Sequence, residues 1–455
     1  MSLKVNPQQV TEPMSSMPIM EEREARHGLK RRMRRWLHHR LVRLMMLGYV
    51  VALAVARKLG QRPREPQNGQ GYDILLTGRF ESENWVAAHL RPLAGSRYCA
   101  RLFVVSTYQV PAITKVTTLF PPRWLIRLAG ATSARLLVFG YMAIRRRPHI
   151  VGGFHIKVNA LLAAILAPLI GARSIYFCVG GPTEVVDGGI GGEGTLFEGM
   201  ETPDRLVEQR LLRGVAACDV VITMGRGAAE FYRQRGVNGN IQTMPGSIDG
   251  NEFCPAEGHP RIDLMLVGRL VEIKRIDLFL QAVACISQKV PTVKAAIVGD
   301  GPLGVSLQRV ADDLGISHCV EFWGFRKDVG ECLRQARIFV LTSRSEGLAL
   351  SLMEAMTCGL PAVVANVGDL GDLVEDGVNG YLVTERSAEA FASRIVDLLT
   401  DSVKCTAFSV AARRSAQRYE TAAAVKQWDE LLGSLDGHTA EASGQGRATG
   451  KVENV

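Results

Sequence analysis

Residues Ser343–Gly377 read SRSEGLALSLMEAMTCGLPAVVANVGDLGDLVEDG, and their pattern decides the fold. The apolar run Ile338–Leu341 just before them has the length and composition of a buried strand. It runs into a turn with Glu346 and Gly347, and a helix is expected from about Leu348–Leu350, with Glu354 inside it. Pro361–Ala365 is the next short apolar run. Seven residues separate the two glutamates. A helix that begins just after Glu346 carries Glu354 about two turns further on. Both carboxylates then line one crevice at a strand's carboxyl end, where open α/β sheets take their ligands. The free N–H groups of Gly347, Leu348 and Ala349 at the helix start suit an anion such as a pyrophosphate. The carboxylates suit paired hydroxyls on a ribose or a sugar.

The same alternation extends in both directions. Ile262–Val267, Lys294–Val298 and Val320–Trp323 read as strands, with helices expected at Ile276–Gln288, Leu303–Leu314 and Val329–Gln335. Strict alternation of this kind implies a parallel sheet covered on both faces. An earlier series, Tyr72–Thr77, Arg101–Ser106, His149–Gly153, Ser174–Val179 and Val220–Met224, has the same character. Leu161–Ile170 is apolar all round and reads as a buried helix. The expected fold class is therefore α/β, with two doubly wound parallel-sheet lobes. They span residues 71–255 and 256–405 and join near Pro245–Pro260. Residues 406–435 read as C-terminal helices and 436–455 as a disordered polar tail.

Two further motifs sit at strand ends. Val267–Lys274, VGRLVEIK, delivers Gly268, then Arg269, with Lys274 five residues on. An arginine grips a phosphate through two parallel hydrogen bonds, and a lysine acts as a point charge. Val298–Pro302, VGDGP, is a glycine turn that offers Asp300 for a hydroxyl or a cap. Singly each motif is ordinary, because helical glutamates are commonly a solvated face and an arginine after a strand is commonly a surface residue. All three in this order, each at a strand's carboxyl end, are hard to attribute to chance.

Over residues 262–400 the chain resembles the retaining GT-B glycosyltransferases of family 4. The shared motifs are G-R-L-x-x-x-K, V-G-D-G-P, and E-x7-E followed by A-x-x-C-G-L-P-A-V. The resemblance weakens over 71–255 and does not reach residues 1–65. It implies two Rossmann-like lobes facing across a cleft, with a nucleoside-diphosphate sugar of UDP or GDP type held as co-substrate by the C-terminal lobe. Arg269 and Lys274 would neutralise the diphosphate and the charge developing on it. Glu346 would contact the donor sugar and Glu354 the ribose, the backbone at Gly347–Ala349 would hold the β-phosphate, and Gly268 would line the donor site. Phe325 and Arg326 would lie near the base. No metal is expected, and the sequence has no D-x-D. In the first lobe Gly78 resembles the family's glycine turn near the diphosphate, although Arg79 stands where a second glycine is common. His155 stands where many members place a histidine near the donor sugar, and a capping or core role is nearly as good a reading. Where the family often has another histidine, this chain has Gly180-Gly181-Pro182-Thr183-Glu184, which leaves the role of Glu184 open.

Charge is unevenly spread. Residues 1–70 hold 14 Lys/Arg against 5 Asp/Glu, and residues 71–183 hold 13 against 3. Residues 184–455 hold 27 against 37. No acidic residue occurs between Glu83 and Glu184. The N-terminal part should meet a negative partner. Aromatic residues are only 6% of the chain, which disfavours nucleic acid. Leu29, Met33, Trp36, Leu37, Leu41 and Leu44 recur at helical spacing, with Lys30, Arg31, Arg34, Arg35 and His38 opposite. That composition suits a helix lying in an anionic membrane surface. The uncharged run Leu44–Ala56 is shorter than the roughly 20 residues a span requires, so packing on the first lobe ranks second and a transmembrane helix third. Gln61–Gln70 reads as a linker. Nine scattered cysteines without C-x-x-C suggest reduced thiols in a cytoplasmic protein.

The expectation is a retaining hexosyltransferase, peripheral on the inner face of the plasma membrane, with a lipid-linked or glycan acceptor. The alternatives are a GT-B epimerase or hydrolase acting on the sugar nucleotide, and a non-catalytic glycan-assembly protein.

Overall fold

A computed structural model describes residues 17–67, 70–80, 82–189, 202–255, 258 and 260–435 of the 455-residue chain. The expected tail at 436–455 lies outside these residues, as do residues 1–16.

The first sheet contains β1 (Tyr72–Thr77), β2 (Cys99–Val105), β3 (Val116–Leu119), β4 (Ile150–Phe154), β5 (Arg173–Cys178), β6 (Val220–Thr223) and β7 (Asn240–Thr243). They lie in the order β3-β2-β1-β4-β5-β6-β7 and pair in parallel throughout. The second contains β8 (Ile262–Val267), β9 (Ala295–Val298), β10 (Val320–Gly324), β11 (Ala336–Leu341), β12 (Ala362–Ala365) and β13 (Gly380–Val383). Its order is β10-β9-β8-β11-β12-β13, again all parallel. Each sheet has one switch point, between β1 and β4 and between β8 and β11. Chain direction across the sheet reverses there, and the loops at the carboxyl ends diverge to leave a crevice.

The central strands are apolar on both faces because helices cover both. Leu75, Phe103 and Val151 pack under Phe139, Ala143 and Ala163 on one side of the first sheet. Ile74, Leu76, Val104 and Phe177 pack on the other. Three strands had no clear signal in the sequence. Val116–Leu119 and Asn240–Thr243 are polar, half-exposed edge strands without an apolar run. Gly380–Val383 is four residues long and lies at the edge of its sheet.

Two expected segments turn out to be parts of the first lobe. The C-terminal helix Thr421–Leu435 crosses back to lie on the helix Glu83–Gly95. Its Trp428 ring sits 6.0 Å from that of Phe177, and Asp429 accepts from Ser96 Oγ at 2.6 Å. At the other end, Met17–Leu59 is one helix. Its Val42, Met46 and Leu53 are buried against Leu161, Ala164 and Leu211, and Ala56 is buried as well. Arg43 Nε donates to Asp204 at 2.7 Å, and an Arg57 Nη donates to the Ala217 carbonyl at 3.0 Å. The expected linker is pinned as well, with Gln61 N–H on the Pro168 carbonyl at 2.8 Å and Arg64 N–H on that of Gly171 at 3.0 Å. The side chains of Lys30, Arg31, Arg34 and Arg35 lie outside the described residues.

The lobes touch through polar contacts near the second sheet's carboxyl edge. Asp369 accepts from the N–H groups of Gly227 (2.8 Å) and Ala228 (3.3 Å), at the start of the first-lobe helix Arg226–Gln234. Arg226 bonds Asp372 at 2.8 Å.

Candidate active site

In the second lobe the loops after β8, β9 and β10 interlock. Gly268 N–H bonds the Val298 carbonyl, Gly299 N–H bonds Gly324, and Leu270 N–H bonds Asp300. A side chain at Gly299 (φ +145) would put its Cβ 1.9 Å from the Gly268 carbonyl oxygen, so only glycine lets these strand ends meet. Residues Gly299–Gly304 also carry the G-x-G-x-x-G spacing of a dinucleotide-binding turn, a signal that the motif reading above leaves out. Here the first two glycines are filled by neighbouring backbone, Gly268 and Leu270, and the turn follows the lobe's second strand. In the dinucleotide motif the glycines follow the first strand and open towards the ligand.

Lys274 closes a short 3-10 turn, Glu272–Lys274, beyond β8. The end of β11 holds this turn. Thr342 Oγ1 donates to the Lys274 and Arg275 carbonyls at 3.2 and 2.8 Å, and Arg344 N–H to that of Ile273 at 2.8 Å. These bonds bring two residues 72 apart in sequence together. Lys274 Nζ lies 2.6 Å from Glu346 Oε1, which Ser343 Oγ also reaches at 2.6 Å. Both partners are largely buried, 17% and 10% exposed, so little solvent screens the pair. Gly347 packs against the first lobe; a Cβ there would meet the Val179 carbonyl at 3.3 Å and Met224 at 3.5 Å. Leu348 and Ala349 are buried beside it, and the N–H groups of Gly347–Ala349 join no backbone hydrogen bond among the described residues.

The helix starts at Leu350, within the expected range but not directly after Glu346, so Glu354 lies a little over one turn along it, not two. In this arrangement the two glutamates have different neighbours. Glu354 is 5% exposed and faces a cavity of about 40 Å³ lined by Asn84, Arg91, Ser247, Glu252 and Leu350. Burial, with the nearby Glu252 charge, pushes its pKa from the ordinary 4.5 to about 8. The outer rim carries Arg269 and Asp300, both exposed. Asp300 accepts from Gly301 N–H at 2.7 Å and so caps its own turn. Beyond β10, Phe325 is 70% exposed and Arg326 is paired with Asp328 at 2.8 Å.

In the first lobe the two residues singled out in the sequence flank the switch point. Gly78 follows β1 and is closed in by Phe154, 2.9 Å from where a Cβ would stand. His155 follows β4 with φ +64 and opens a π turn, Ile156–Ala160, in which Val158 also has positive φ (+55). Such backbone costs on the order of 1 kcal/mol per residue and gathers at functional sites. Glu184 over-determines it. This carboxylate, 2% exposed, accepts from His155 Nδ1 (3.0 Å), Ile156 N–H (2.7 Å), Gly180 N–H (2.6 Å) and Tyr176 Oη (2.9 Å). Burial pushes its pKa up, but His155 and the two backbone donors outweigh that and hold it below the ordinary carboxylate range. Glu184 is the residue whose role the sequence left open. The only signal was an acid that ends a run of a hundred acid-free residues.

Glycine turns, cations and carboxylates thus gather at the carboxyl ends of the switch-point strands of two Rossmann-like lobes in contact. That arrangement defines the GT-B fold. The protein Alr3699/HepE of Anabaena, solved with UDP and glucose, has the same fold, with a TM-score of 0.62 at 21% identity over 80% of this chain and 100% of that one. Residues 261–401 match the model of the glycosyl transferases group 1 family, and this lobe belongs to that family. The GDP-mannose-dependent alpha-(1-6)-phosphatidylinositol monomannoside mannosyltransferase of Mycolicibacterium smegmatis is 30% identical over 219 residues, 44% of this chain and 57% of that enzyme. The poly(ribitol-phosphate) alpha-N-acetylglucosaminyltransferase of Staphylococcus aureus is 29% identical over 170 residues, 37% of this chain and 34% of its own length.

Proposed function

We propose that this chain transfers a sugar from a nucleoside-diphosphate donor to a membrane-associated acceptor, with retention of configuration and without a metal. The observation that carries the reading is the Lys274–Glu346–Ser343 cluster at the second lobe's switch point, beside Gly347–Ala349, which lead into the helix Leu350–Thr357. Lys274 and Arg269 would neutralise the diphosphate as it leaves, the role a metal ion plays elsewhere. Glu346 would hold a donor-sugar hydroxyl and keep Lys274 aimed. Glu354 and the rim at Gly268, Phe325 and Arg326 would take the nucleoside. The bond from the anomeric carbon to the phosphate oxygen breaks, the acceptor oxygen attacks the same face, and its proton passes to the leaving phosphate. Incubating the full chain with UDP- and GDP-sugars and a lipid extract, then reading the product's anomeric signal by NMR, tests this. A product of the donor's configuration is expected. Free sugar or an epimerised nucleotide formed without acceptor would support the hydrolase or epimerase reading.

His155 would face the donor sugar, with Glu184 fixing its tautomer and the strained loop. Glu184→Gln keeps the shape but loses the charge. It should lower kcat about tenfold to a hundredfold with nucleotide affinity unchanged. Equal losses in affinity and kcat would place Glu184 in folding alone.

Membrane association rests on one side of the first lobe. The helix Met17–Leu59 leaves Trp36, Leu37, Leu41, Leu44, Val51 and Val55 exposed while its opposite face is packed. On Ala131–Arg146, Leu137, Tyr141 and Ile144 form a second exposed stripe. Both helices pack on Leu161–Ile170, so the stripes share a side of the lobe. Trp36–Leu59, 24 residues, is long and apolar enough to cross a membrane. The buried face and the Arg43–Asp204 bond favour a helix lying flat. The triple variant Trp36→Ser, Leu41→Ser, Leu44→Ser should lose binding to phosphatidylglycerol vesicles at least about tenfold with the melting temperature unchanged. Wild-type binding would remove the proposal.

A further inference from the structure

Arg135 is out of place for an arginine. It is 6% exposed, whereas arginine is almost never fully buried without a partner. One guanidinium nitrogen donates to Asn159 Oδ1 at 3.0 Å, and Asn159 is itself fixed by its amide on the Phe154 carbonyl at 2.6 Å. The other, Nη1, is buried and has no acceptor. No acidic residue occurs between Glu83 and Glu184, so the residues that flank Arg135 in sequence supply no counter-ion. Among the described residues, the ionisable groups whose fields reach the guanidinium are a second cation, Arg79, and Tyr108, both exposed. Burial, together with Arg79, pushes the Arg135 pKa down to about 10. A buried guanidinium with an unpartnered edge is unfavourable unless an anion meets that edge.

The placement says where that anion would come from. Arg79 follows Gly78 at the carboxyl end of β1, and Asn159 lies just beyond β4. Arg135 is in the second turn of the helix Ala131–Arg146, whose last residues lead into the opening of β4, so its start lies at the opposite, carboxyl edge of the sheet. All three residues thus stand at the first lobe's switch point. The donor cluster of Lys274 and Glu346 belongs to the other lobe.

We propose that Arg135 and Arg79 form a phosphate-binding subsite on the acceptor side, which takes a phosphate group carried by the acceptor. The assignment rests on the transferase reading for the word acceptor, but not for the anion. A planar guanidinium with one edge fixed by Asn159 and the other unpartnered is preorganised for a tetrahedral oxyanion. The phosphate could belong to a lipid or to a soluble glycan, and the chemistry at Arg135 is the same.

The test uses thermal melts of the full chain, first saturated with the nucleoside diphosphate that binds it best. Inorganic pyrophosphate is then titrated in one arm and a detergent-dispersed polyprenyl phosphate in the other. The wild type should melt at rising temperature as either probe increases. Arg135→Met should lose the rise, and Arg135→Lys should keep part of it and serve if the Met variant fails to fold. A response to the dispersed lipid alone assigns a lipid-borne phosphate, and a response to both assigns the phosphate itself. The same rise in Arg135→Met would overturn the proposal, as would no rise in the wild type. A rise seen only before the diphosphate is added would also overturn it, by placing Arg135 in the donor site. Lys274→Ala separates the two readings. It should lose the diphosphate effect and retain the pyrophosphate effect. A wild type that binds no diphosphate but shows an Arg135-dependent pyrophosphate effect would sink the donor assignment and leave this site standing.

Discussion

Lys274→Ala should lower kcat/KM by about a hundredfold to a thousandfold, the range for removing one preorganised charge from a leaving oxyanion. The ammonium is held 2.6 Å from Glu346 on a turn fixed by Thr342 and Arg344, so its position precedes substrate binding. Removing it leaves Glu346 held by the Ser343 hydroxyl, and a partly buried carboxylate tolerates that at moderate cost. Stability should fall by a few degrees at most, well short of explaining the lost rate. Lys274→Arg keeps the charge and should recover part of the activity, because a planar fork replaces a point charge. Steady-state kinetics beside a melting curve checks both statements. Turnover near wild type in Lys274→Ala would remove the lysine from the site.

The second large effect is on stability against pH. Glu354 is protonated in the folded chain up to about pH 8 and is ionised in the unfolded chain above its ordinary 4.5. Between those values the folded state binds more protons than the unfolded state, so stability falls as pH rises through the window. A shift of this size corresponds to a few kcal/mol. Glu354→Gln removes the titrating group. In the absence of nucleotide it should therefore raise the melting temperature at pH 8 by several degrees, and the gain should shrink towards pH 5. The same variant should bind a nucleoside diphosphate at least about tenfold more weakly, since ribose hydroxyls would draw Glu354 into its ionised, two-oxygen acceptor form, which an amide cannot supply. Identical pH–stability profiles for wild type and variant would show that the carboxylate is ionised in the fold.

The contrast between Glu346 and Glu354 shows what was legible in the sequence. Spacing placed both on one strand–turn–helix unit, because strand length, the Glu-Gly turn and the apolar helix are local properties. Spacing could not place Glu354 against Ser247 and Glu252, since that contact depends on how the first lobe and the link pack over the helix. The family resemblance put Lys274 and Glu346 in one donor site, on the diphosphate and the sugar, but not in contact; their pairing needs the β8–β11 register. Glu184 was left without a role because its four donors come from β5, the β4 loop and a glycine turn, which no window of sequence brings together. Edge strands went unread because half-exposed strands carry no apolar run. The N-terminal stripe was read in the right phase from Met33 onwards. Its buried face was hidden, because Val42, Met46, Leu53 and Ala56 look no different from their exposed neighbours in composition.

The central claim is a donor site that holds a nucleoside diphosphate through fixed cations. Isothermal titration of UDP, GDP and ADP into the full chain, with chelator present, addresses it most directly. Tight binding of one diphosphate, weakened at least about tenfold in Lys274→Ala and insensitive to added magnesium, is the expected result. No binding by any of the three, or binding that Lys274→Ala leaves untouched, would contradict the account.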